Sequence, residues 1–202
     1  MNVSTTIARP VSRVFNPFTL SLLALLIAAC AGISDLKDLQ LWIPILLWFC
    51  VVVPLLYVYG RTTMENSSNQ RLPKLMPFFR EHRREVWVIG IIAMPPCIAL
   101  LVFLKAPSIL LATLIALLAS NLTVALVNRF FKASYHLTAV TILTTVAVIV
   151  WGVVALPFLI CIPLVGWAKF AVGDHSPGQL SVGFIIASIM VAASLYYFGL
   201  LL

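Results

Sequence analysis

Seven apolar stretches divide this sequence, and they decide which architectures the chain can adopt. They cover residues 18–34, 41–59, 86–104, 107–128, 137–153, 154–168 and 180–202. A membrane-spanning helix needs roughly 20 apolar residues, which is close to the length of most of these stretches. Strands explain them less well, because the open edge of a sheet has no hydrogen-bond partners in lipid. The sequence therefore predicts transmembrane helices.

The composition agrees with a membrane protein. Of the 202 residues, 62% are hydrophobic and 9% are charged, whereas a soluble domain carries about 25% charged residues. We predict an all-α, polytopic transmembrane bundle with six or seven spans and a six-helix core. In this interpretation residues 1–202 form a single integral membrane domain, and no separate soluble domain is expected.

The stretch from residue 137 to residue 168 allows two interpretations. It is long for one span, and Gly152, Pro157 and Pro163 interrupt it. We expect two spans that turn near Trp151–Gly152, because glycine and proline both favour a break in a helix.

The first apolar stretch also has a second interpretation. Arg9 and Arg13 precede it, and it contains the tetrapeptide Ile27-Ala28-Ala29-Cys30. This pattern is typical of a bacterial lipoprotein signal, in which residues 1–29 are removed and Cys30 is lipidated. A first span that ends in small residues explains the pattern as well, and we favour it because such tetrapeptides also arise by chance.

The cysteines give no sign of a disulfide framework or a zinc site. All four lie inside apolar segments without paired spacing, and we interpret them as small buried hydrophobes. They are Cys30, Cys50, Cys97 and Cys161. We expect no metal and no cofactor.

The basic residues predict an orientation in the membrane. The net charge is +7, and the Lys and Arg residues lie in loops beside apolar segments, where topology and anionic head groups explain them better than nucleic acid does. If all seven stretches cross, Lys37 and Lys105 lie on one side. The remaining basic residues lie on the other side, which the positive-inside rule assigns to the cytoplasm. They are Arg9, Arg13, Arg61, Arg71, Lys74, Arg80, Arg83, Arg84, Arg129, Lys132 and Lys169.

Three polar stretches fall on that basic side: "NQRLPK" (69–74), "NRFFKASYH" (128–136) and "KFAVGDHSPGQ" (169–179). Polar groups beside membrane spans are costly and are functional candidates by default. Cations and a hydroxyl suit a phosphate dianion, and two histidines suit attack on phosphorus and protonation of the leaving oxygen. Without a carboxylate cluster for a divalent metal, the set indicates metal-independent phosphoryl transfer. The candidate residues are Arg71, Lys132, Ser134, His136, Lys169 and His175.

Each residue also has a structural explanation. Lys169 fits an interfacial lysine whose charged end reaches water, Ser134 fits a helix cap, and His175 fits a helix-start residue in a Pro/Gly turn. His82 lies in a run of charged residues, and we assign it no role.

The second and third polar stretches resemble the type 2 phosphatidic acid phosphatase superfamily of membrane phosphatases. That family carries Lys-x6-Arg-Pro, then Pro-Ser-Gly-His, then Ser-Arg-x5-His-x3-Asp. "KASYH" supplies Ser134-x-His136, "KFAVGDHSPGQ" supplies Lys169-x5-His175-x3-Gln179, and "QRLPK" is similar to a reduced first block through Arg71. The resemblance covers residues 61 to 185.

The resemblance implies a role for each matching residue. His175 would be the nucleophile that forms a phosphohistidine, and His136 would protonate the leaving group. Gln179 would orient His175 through the Nδ1 hydrogen bond. The phosphate oxygens would be held by Arg71, Ser134 and Lys169. Lys132 matches no family position but lies two residues before Ser134, where it adds positive charge.

Several positions depart from the family pattern. Lys169 replaces an arginine, Tyr135 a glycine and Gln179 an aspartate, and the first block lacks its lysine because Met64 lies seven residues before Arg71. We expect Asp174, which is adjacent to His175, to point elsewhere.

These observations lead to three functional hypotheses. The first is a membrane phosphatase acting on a lipid phosphate or isoprenoid diphosphate, with its site facing the cytoplasm of a bacterial membrane and with membrane lipids as its surroundings. The second is a catalytically weak or inactive relative that binds lipid phosphate or is structural. The third is a small transporter, which the scarcity of ionisable residues inside the spans disfavours, since polarity there is limited to Asn121 and threonines such as Thr144 and Thr145. The oligomeric state is left open.

Overall fold

A computed structural model describes residues 3–31, 36–65 and 83–201 of the chain, and within them the regular structure is entirely helical. The α-helices are α1 (Val3–Val14), α2 (Pro17–Ala31), α3 (Leu36–Leu47), α4 (Val53–Glu65), α5 (Arg83–Phe103), α6 (Ser108–Val127), α7 (Tyr135–Trp151), α8 (Cys161–Ala171) and α9 (Pro177–Tyr197). A π-helical segment, Trp48–Val52, joins α3 to α4, and a 3-10 helix, Gly152–Ile160, joins α7 to α8.

Several helical runs among the described residues are long and apolar enough to cross a membrane. There are five, and a sixth if α1 and α2, which meet at a bend of 49°, count as one broken span. The five are Lys37–Met64, Glu85–Phe103, Ser108–Val127, Tyr135–Ala171 and Pro177–Tyr197. These helices agree with the all-α membrane bundle that the sequence predicts.

The chain divides into two compact units, a division that the prediction of one membrane domain did not include. Unit 1 comprises Met1–Ser34 and Ala106–Leu202, and unit 2 comprises Asp35–Lys105.

In unit 2, a long helical run packs against α5. The π segment lies just before Pro54, whose ring and missing N–H disturb the regular i−4 pattern. Val53 accordingly donates its N–H to the carbonyl of Trp48, five residues back. The side chains of Val58 and Val86 are buried together where α4 meets α5.

In unit 1, α6 and α9 lie side by side in opposite directions. The hydroxyl of Ser194 near the end of α9 donates to the carbonyl oxygen of Ala112 near the start of α6, at 2.7 Å. At the other end of the pair, Val124 packs against Ile186. Helix α2 packs against α6 and α7, and α1 packs against α8.

The run from Tyr135 to Ala171 doubles back on itself. In a straight helix, residues 137 and 166 would be about 43 Å apart at 1.5 Å per residue. Instead Leu137 packs against Val165, and a Cβ placed on Gly166 would lie 3.7 Å from Leu137 Cδ2. The reversal occurs at Gly152, whose φ of +61° is in the left-handed region that favours glycine. The turn that the sequence predicted near Trp151–Gly152 is therefore present, and it brings the start of α7 and the end of α8 to the same end of unit 1.

Candidate functional site

Ser134 begins α7, and the structure uses it as a helix cap. Its Oγ accepts the N–H of Leu137 at 3.5 Å, and its carbonyl oxygen accepts both the N–H and the hydroxyl of Thr138, at 3.1 and 3.0 Å. Ser134 is completely buried. A phosphate has no access to its hydroxyl in this arrangement, so the predicted phosphate contact would require the surrounding chain to move.

The chain before α7 lies directly against the first turns of α9. A Cβ on Gly183 would come within 2.6 Å of the Ser134 carbonyl oxygen, a distance that only glycine tolerates. The N–H of Ser134 donates to the carbonyl oxygen of Gln179 at 3.3 Å, and the hydroxyl of Thr138 donates to that of Gly183 at 3.1 Å. These contacts join the second polar stretch to the third.

Lys169, in the last turn of α8, is a buried lysine that forms an ion pair with Asp174. Its side chain is only 7% exposed, and its Nζ lies 2.9 Å from Asp174 Oδ2. The N–H of Asp174 also donates to the carbonyl oxygen of Lys169 at 3.1 Å, which closes the end of the helix. An exposed interfacial lysine does not describe this geometry, and a phosphate at Lys169 Nζ would have to replace the carboxylate of Asp174.

Lys132 also binds Asp174. Its Nζ donates to the main-chain carbonyl oxygen of Asp174 at 2.8 Å. The two lysines therefore converge on Asp174, one through the backbone and one through the carboxylate. The Lys169 hydrogen bond holds the pKa of Asp174 below its usual range, with the positive fields of Lys169, His175 and His136 acting in the same direction and burial opposing them. The sequence analysis assigned Asp174 no role, and the structure places it at the centre.

His175 lies in the turn between α8 and α9 and is half-buried. Its Nδ1 is buried and has no hydrogen-bond partner among the described residues. Burial lowers the pKa of His175, and the charges of Lys132 and Lys169 lower it further, whereas Asp174 and Gln179 oppose the shift. The imidazole is therefore mainly neutral at pH 7, which is the form that has a lone pair available for attack.

His136 is the second residue of α7, and it lies near the same carboxylate. It is 8% exposed, and its positive field contributes to the low pKa of Asp174. The two candidate histidines thus both lie close enough to this carboxylate to act on its charge. We call Lys132, His136, Lys169, Asp174 and His175 the lysine–histidine cluster.

Gln179 has a structural role in addition to the one predicted. Its Oε1 accepts the N–H of Ser176 at 3.0 Å, while its own N–H donates to Ser176 Oγ at 3.4 Å. These reciprocal bonds form a capping box at the start of α9. The side chain lies near enough to His175 to favour the protonated imidazole, but the predicted hydrogen bond to Nδ1 is not made. The Ser-x-x-Gln spacing of residues 176–179, with Pro177 directly after the serine, was the sequence signal for this cap.

Arg71, the remaining predicted phosphate ligand, lies outside the described residues, as does the rest of "NQRLPK". In the parts of the chain that the structure describes, no group of three or more His, Cys, Asp or Glu side chains is placed to hold a metal ion.

Thr141 and Thr144, two buried threonines of α7, satisfy their hydroxyls within their own helix. Thr141 donates to the carbonyl oxygen of Leu137 at 2.7 Å, and Thr144 to that of Thr141 at 3.1 Å. Their hydrogen-bonding capacity is therefore already engaged, as such threonines usually are, which leaves little for a polar path through the bundle.

A comparison with known protein families finds no match, and comparisons with curated proteins and with solved structures find none either. The chemistry of this chain must therefore be argued from its own residues. The lysine–histidine cluster offers two cations, two imidazoles and one carboxylate at one end of unit 1, a set suited to binding an anion and transferring protons.

Proposed function

We propose that this protein is an integral membrane phosphatase that binds a lipid phosphate or prenyl diphosphate at the lysine–histidine cluster. The observation that carries the proposal is the convergence of Lys132 and Lys169 on Asp174, a residue that has His136 and His175 nearby. These residues come from two polar stretches that the turn at Gly152 brings together. Two cations beside a neutral imidazole are what phosphoryl transfer to histidine requires.

The proposed reaction has two steps and uses no metal or cofactor. Nε2 of neutral His175 attacks phosphorus, and the bond from phosphorus to the leaving oxygen breaks as protonated His136 gives that oxygen a proton. Water then attacks the phosphohistidine, with neutral His136 taking a proton from it, so that inorganic phosphate leaves and His175 is restored. Lys132 and Lys169 stabilise the negative charge on the phosphate oxygens in both steps.

The same proposal includes a place for the substrate in the membrane. The acyl or prenyl tail lies among the apolar helices, and the phosphate lies at the end of unit 1 that carries Lys132 and Lys169. The excess of Lys and Arg in the loops on the basic side of the sequence favours a cytoplasmic site in a bacterial membrane. A site there would meet a diphosphate made inside the cell. Within a six-helix core, the α7–α8 hairpin contributes two of the spans.

A second candidate function is the binding of lipid phosphate without turnover. Two observations favour it: Gln179 is engaged in the capping box and leaves His175 Nδ1 without an acceptor, and Lys169 is already paired with Asp174. In a phosphatase of this kind, an acceptor on Nδ1 would orient the nucleophile.

The test is phosphate release by the detergent-purified protein without added metal. The substrates are phosphatidic acid, phosphatidylglycerol phosphate, and short and long prenyl diphosphates. Wild type should release phosphate from at least one, and His175→Ala should reduce the rate to background. His82→Ala is the matched control, because it removes the histidine to which we assign no role, and it should keep the wild-type rate.

The other outcomes separate the two functions. No release by wild type, with a lipid phosphate still bound, would establish the binding protein and reject the phosphatase. Equal rates for wild type and His175→Ala would reject His175 as the nucleophile and attribute the release to a contaminant or to another residue.

A further inference from the structure

The Lys169–Asp174 pair combines a fixed cation with a movable anion. The Lys169 side chain is 7% exposed and extends from a regular helix, whereas the Asp174 side chain is 45% exposed and lies in the turn between α8 and α9. Gly173, immediately before it, has a φ of +79°. A buried ammonium group without a counter-charge is costly, so Lys169 needs an anion in the absence of substrate. Asp174 supplies it.

Asp174 can leave Lys169 without losing its place in the fold. Lys132 binds the carbonyl oxygen of residue 174 rather than the carboxylate, and the N–H of residue 174 is bonded to the carbonyl oxygen of Lys169. A rotation of the side chain towards solvent would break one contact, at 2.9 Å, and would keep both main-chain contacts. The position beside Lys169 Nζ would then be open to another anion.

A carboxylate and a phosphate make the same kind of charge-assisted hydrogen bond to an ammonium group. They differ in charge, because a phosphate monoester carries about −1.5 to −2 near neutral pH and a carboxylate carries −1. The phosphodiester head groups that fill a bilayer carry one negative charge, like the carboxylate, and a tethered carboxylate has the advantage of proximity. Only an anion of higher charge should replace it.

We propose that Asp174 is an internal competitor for the anion position at Lys169, and that it restricts the site to phosphomonoester and diphosphate head groups. Bulk phosphodiester lipids do not bind at this position because they cannot displace the carboxylate of Asp174. The proposal rests on the phosphate site proposed above and names its selectivity. Asp174 is in this sense a specificity residue, and it takes no part in bond breaking.

The experiment compares lipid binding by the full-length protein, purified in detergent, using phosphatidic acid as the monoester and phosphatidylglycerol as the diester. Wild type should bind phosphatidic acid and bind phosphatidylglycerol at least about tenfold more weakly, a ratio that corresponds to one decade in Kd. Asp174→Asn should remove most of this difference by strengthening the binding of phosphatidylglycerol. Asp38→Asn, the same change in unit 2, is the matched control and should keep the wild-type ratio.

A second measurement needs no variant and so does not depend on the folding of one. Carbodiimide-driven labelling of carboxyl groups, read by peptide mass spectrometry, should increase at Asp174 when phosphatidic acid binds. It should not change with phosphatidylglycerol, and Asp38 provides the internal reference. Binding of phosphatidic acid without a change in Asp174 labelling would overturn the proposal.

Failure of this proposal can be told apart from failure of the phosphate site. If Asp174→Asn keeps the wild-type selectivity while Lys169→Met no longer binds phosphatidic acid, the phosphate site is supported and Asp174 is rejected as its specificity residue. If wild type binds neither lipid, nor a prenyl diphosphate, the phosphate site itself is rejected and the selectivity with it.

Discussion

In the part of the chain that the structure describes, each unit holds a carboxylate beside a cation, Glu85 in unit 2 and Asp174 in unit 1, and these two arrangements differ in what fixes the acid. In unit 2, Glu85 accepts a hydrogen bond from the Tyr57 hydroxyl at 2.6 Å and lies 3.5 Å from Arg61 Nε. All three residues lie on helices, and the two charged side chains are 36% and 41% exposed. In unit 1, the acid lies on a turn and the cation is buried. The pair in unit 2 joins two helices. In unit 1, the carboxylate of Asp174 neutralises the buried ammonium group of Lys169.

The difference teaches that the role of an ion pair, in stability or in binding, depends on whether one partner lies on a segment that can move. An exposed pair between helices contributes about 0–1 kcal/mol to stability. In the proposal above, a buried lysine whose acidic partner lies on a turn is a binding position, because another anion can replace that acid. The predictions below separate these two roles.

The largest expected effect comes from removing the buried cation. Lys169→Met should lower the rate of phosphate release by about 100-fold or more, since such a charge stabilises the phosphate in the transition state. Glu85→Gln, which disrupts the pair in unit 2, should change the rate less than about twofold. Steady-state phosphate release measures both. Equal losses in the two variants would mean that the pairs do not differ in role.

The next effect is on stability and concerns the contact that joins the two polar stretches. In Gly183→Ala the new Cβ would lie 2.6 Å from the Ser134 carbonyl oxygen, so we expect a loss of about 1–3 kcal/mol in the free energy of unfolding. Gly90→Ala on α5 is the control, because its Cβ would meet nothing within 4 Å. Thermal unfolding in detergent should show a lower midpoint for the first variant alone, and an unchanged midpoint would contradict the close approach of α9 to Ser134.

A smaller effect is expected at the carboxylate of unit 2. Tyr57→Phe removes the hydrogen bond to Glu85 and should cost about 1 kcal/mol of stability. Because this pair has no part in the proposed site, phosphate release per folded molecule should be unchanged. A large loss of activity with unchanged unfolding would mean that the Tyr57–Glu85 pair serves activity rather than stability, and would contradict the prediction.

The smallest effect is a shift in the pH profile. The pKa of His175 is lowered from its ordinary value of 6.5, mainly by burial, so the neutral nucleophile persists below pH 6.5 and the acid limb of kcat/KM should lie there. Asp174 raises that pKa, so Asp174→Asn should move the limb to still lower pH, and Glu85→Gln should leave it in place. A limb that moves upward in Asp174→Asn would contradict the proximity of the two side chains.

The lowered pKa of His175 also makes the stability of the protein depend on pH. Between the pKa of His175 in the folded protein and 6.5, the unfolded chain binds the proton and the folded chain does not. Acidification through this range therefore favours unfolding. Asp174 adds stability that is present above its ordinary pKa of 3.8 and is lost as the pH falls through its lower folded value.

The sequence predicted those features that depend on apolar length and on breaks in it. Helices long and apolar enough to cross a membrane follow from hydropathy, and the reversal at Gly152 follows from a glycine between two such stretches. That reversal was enough to predict that the second and third polar stretches lie at the same end. The 3-10 geometry of residues 152–160 was not predicted, since no simple residue pattern separates it from an α-helix.

The details of the site depended on contacts that the sequence does not encode locally. The burial of Ser134 results from Gly183, far along the chain, and no spacing rule connects the two. Asp174 was overlooked because its partner is set by the way α8 ends rather than by a motif. Gln179 was different, because the Ser-x-x-Gln signal was present, but the family resemblance led us to assign the side chain to His175 instead. The predicted roles of the histidines stay predictions.

The hairpin of α7, the 3-10 helix and α8 has a consequence for biogenesis. Between Leu137 and Ala168 the sequence contains no charged residue, so a nascent hairpin can enter the bilayer without carrying any charge across it. In the proposed orientation, Lys132 and Lys169 stay on the side from which it entered, one before the hairpin and one at its end. The segment that follows, synthesised after the hairpin, would then add the turn with Asp174, to which both lysines bind.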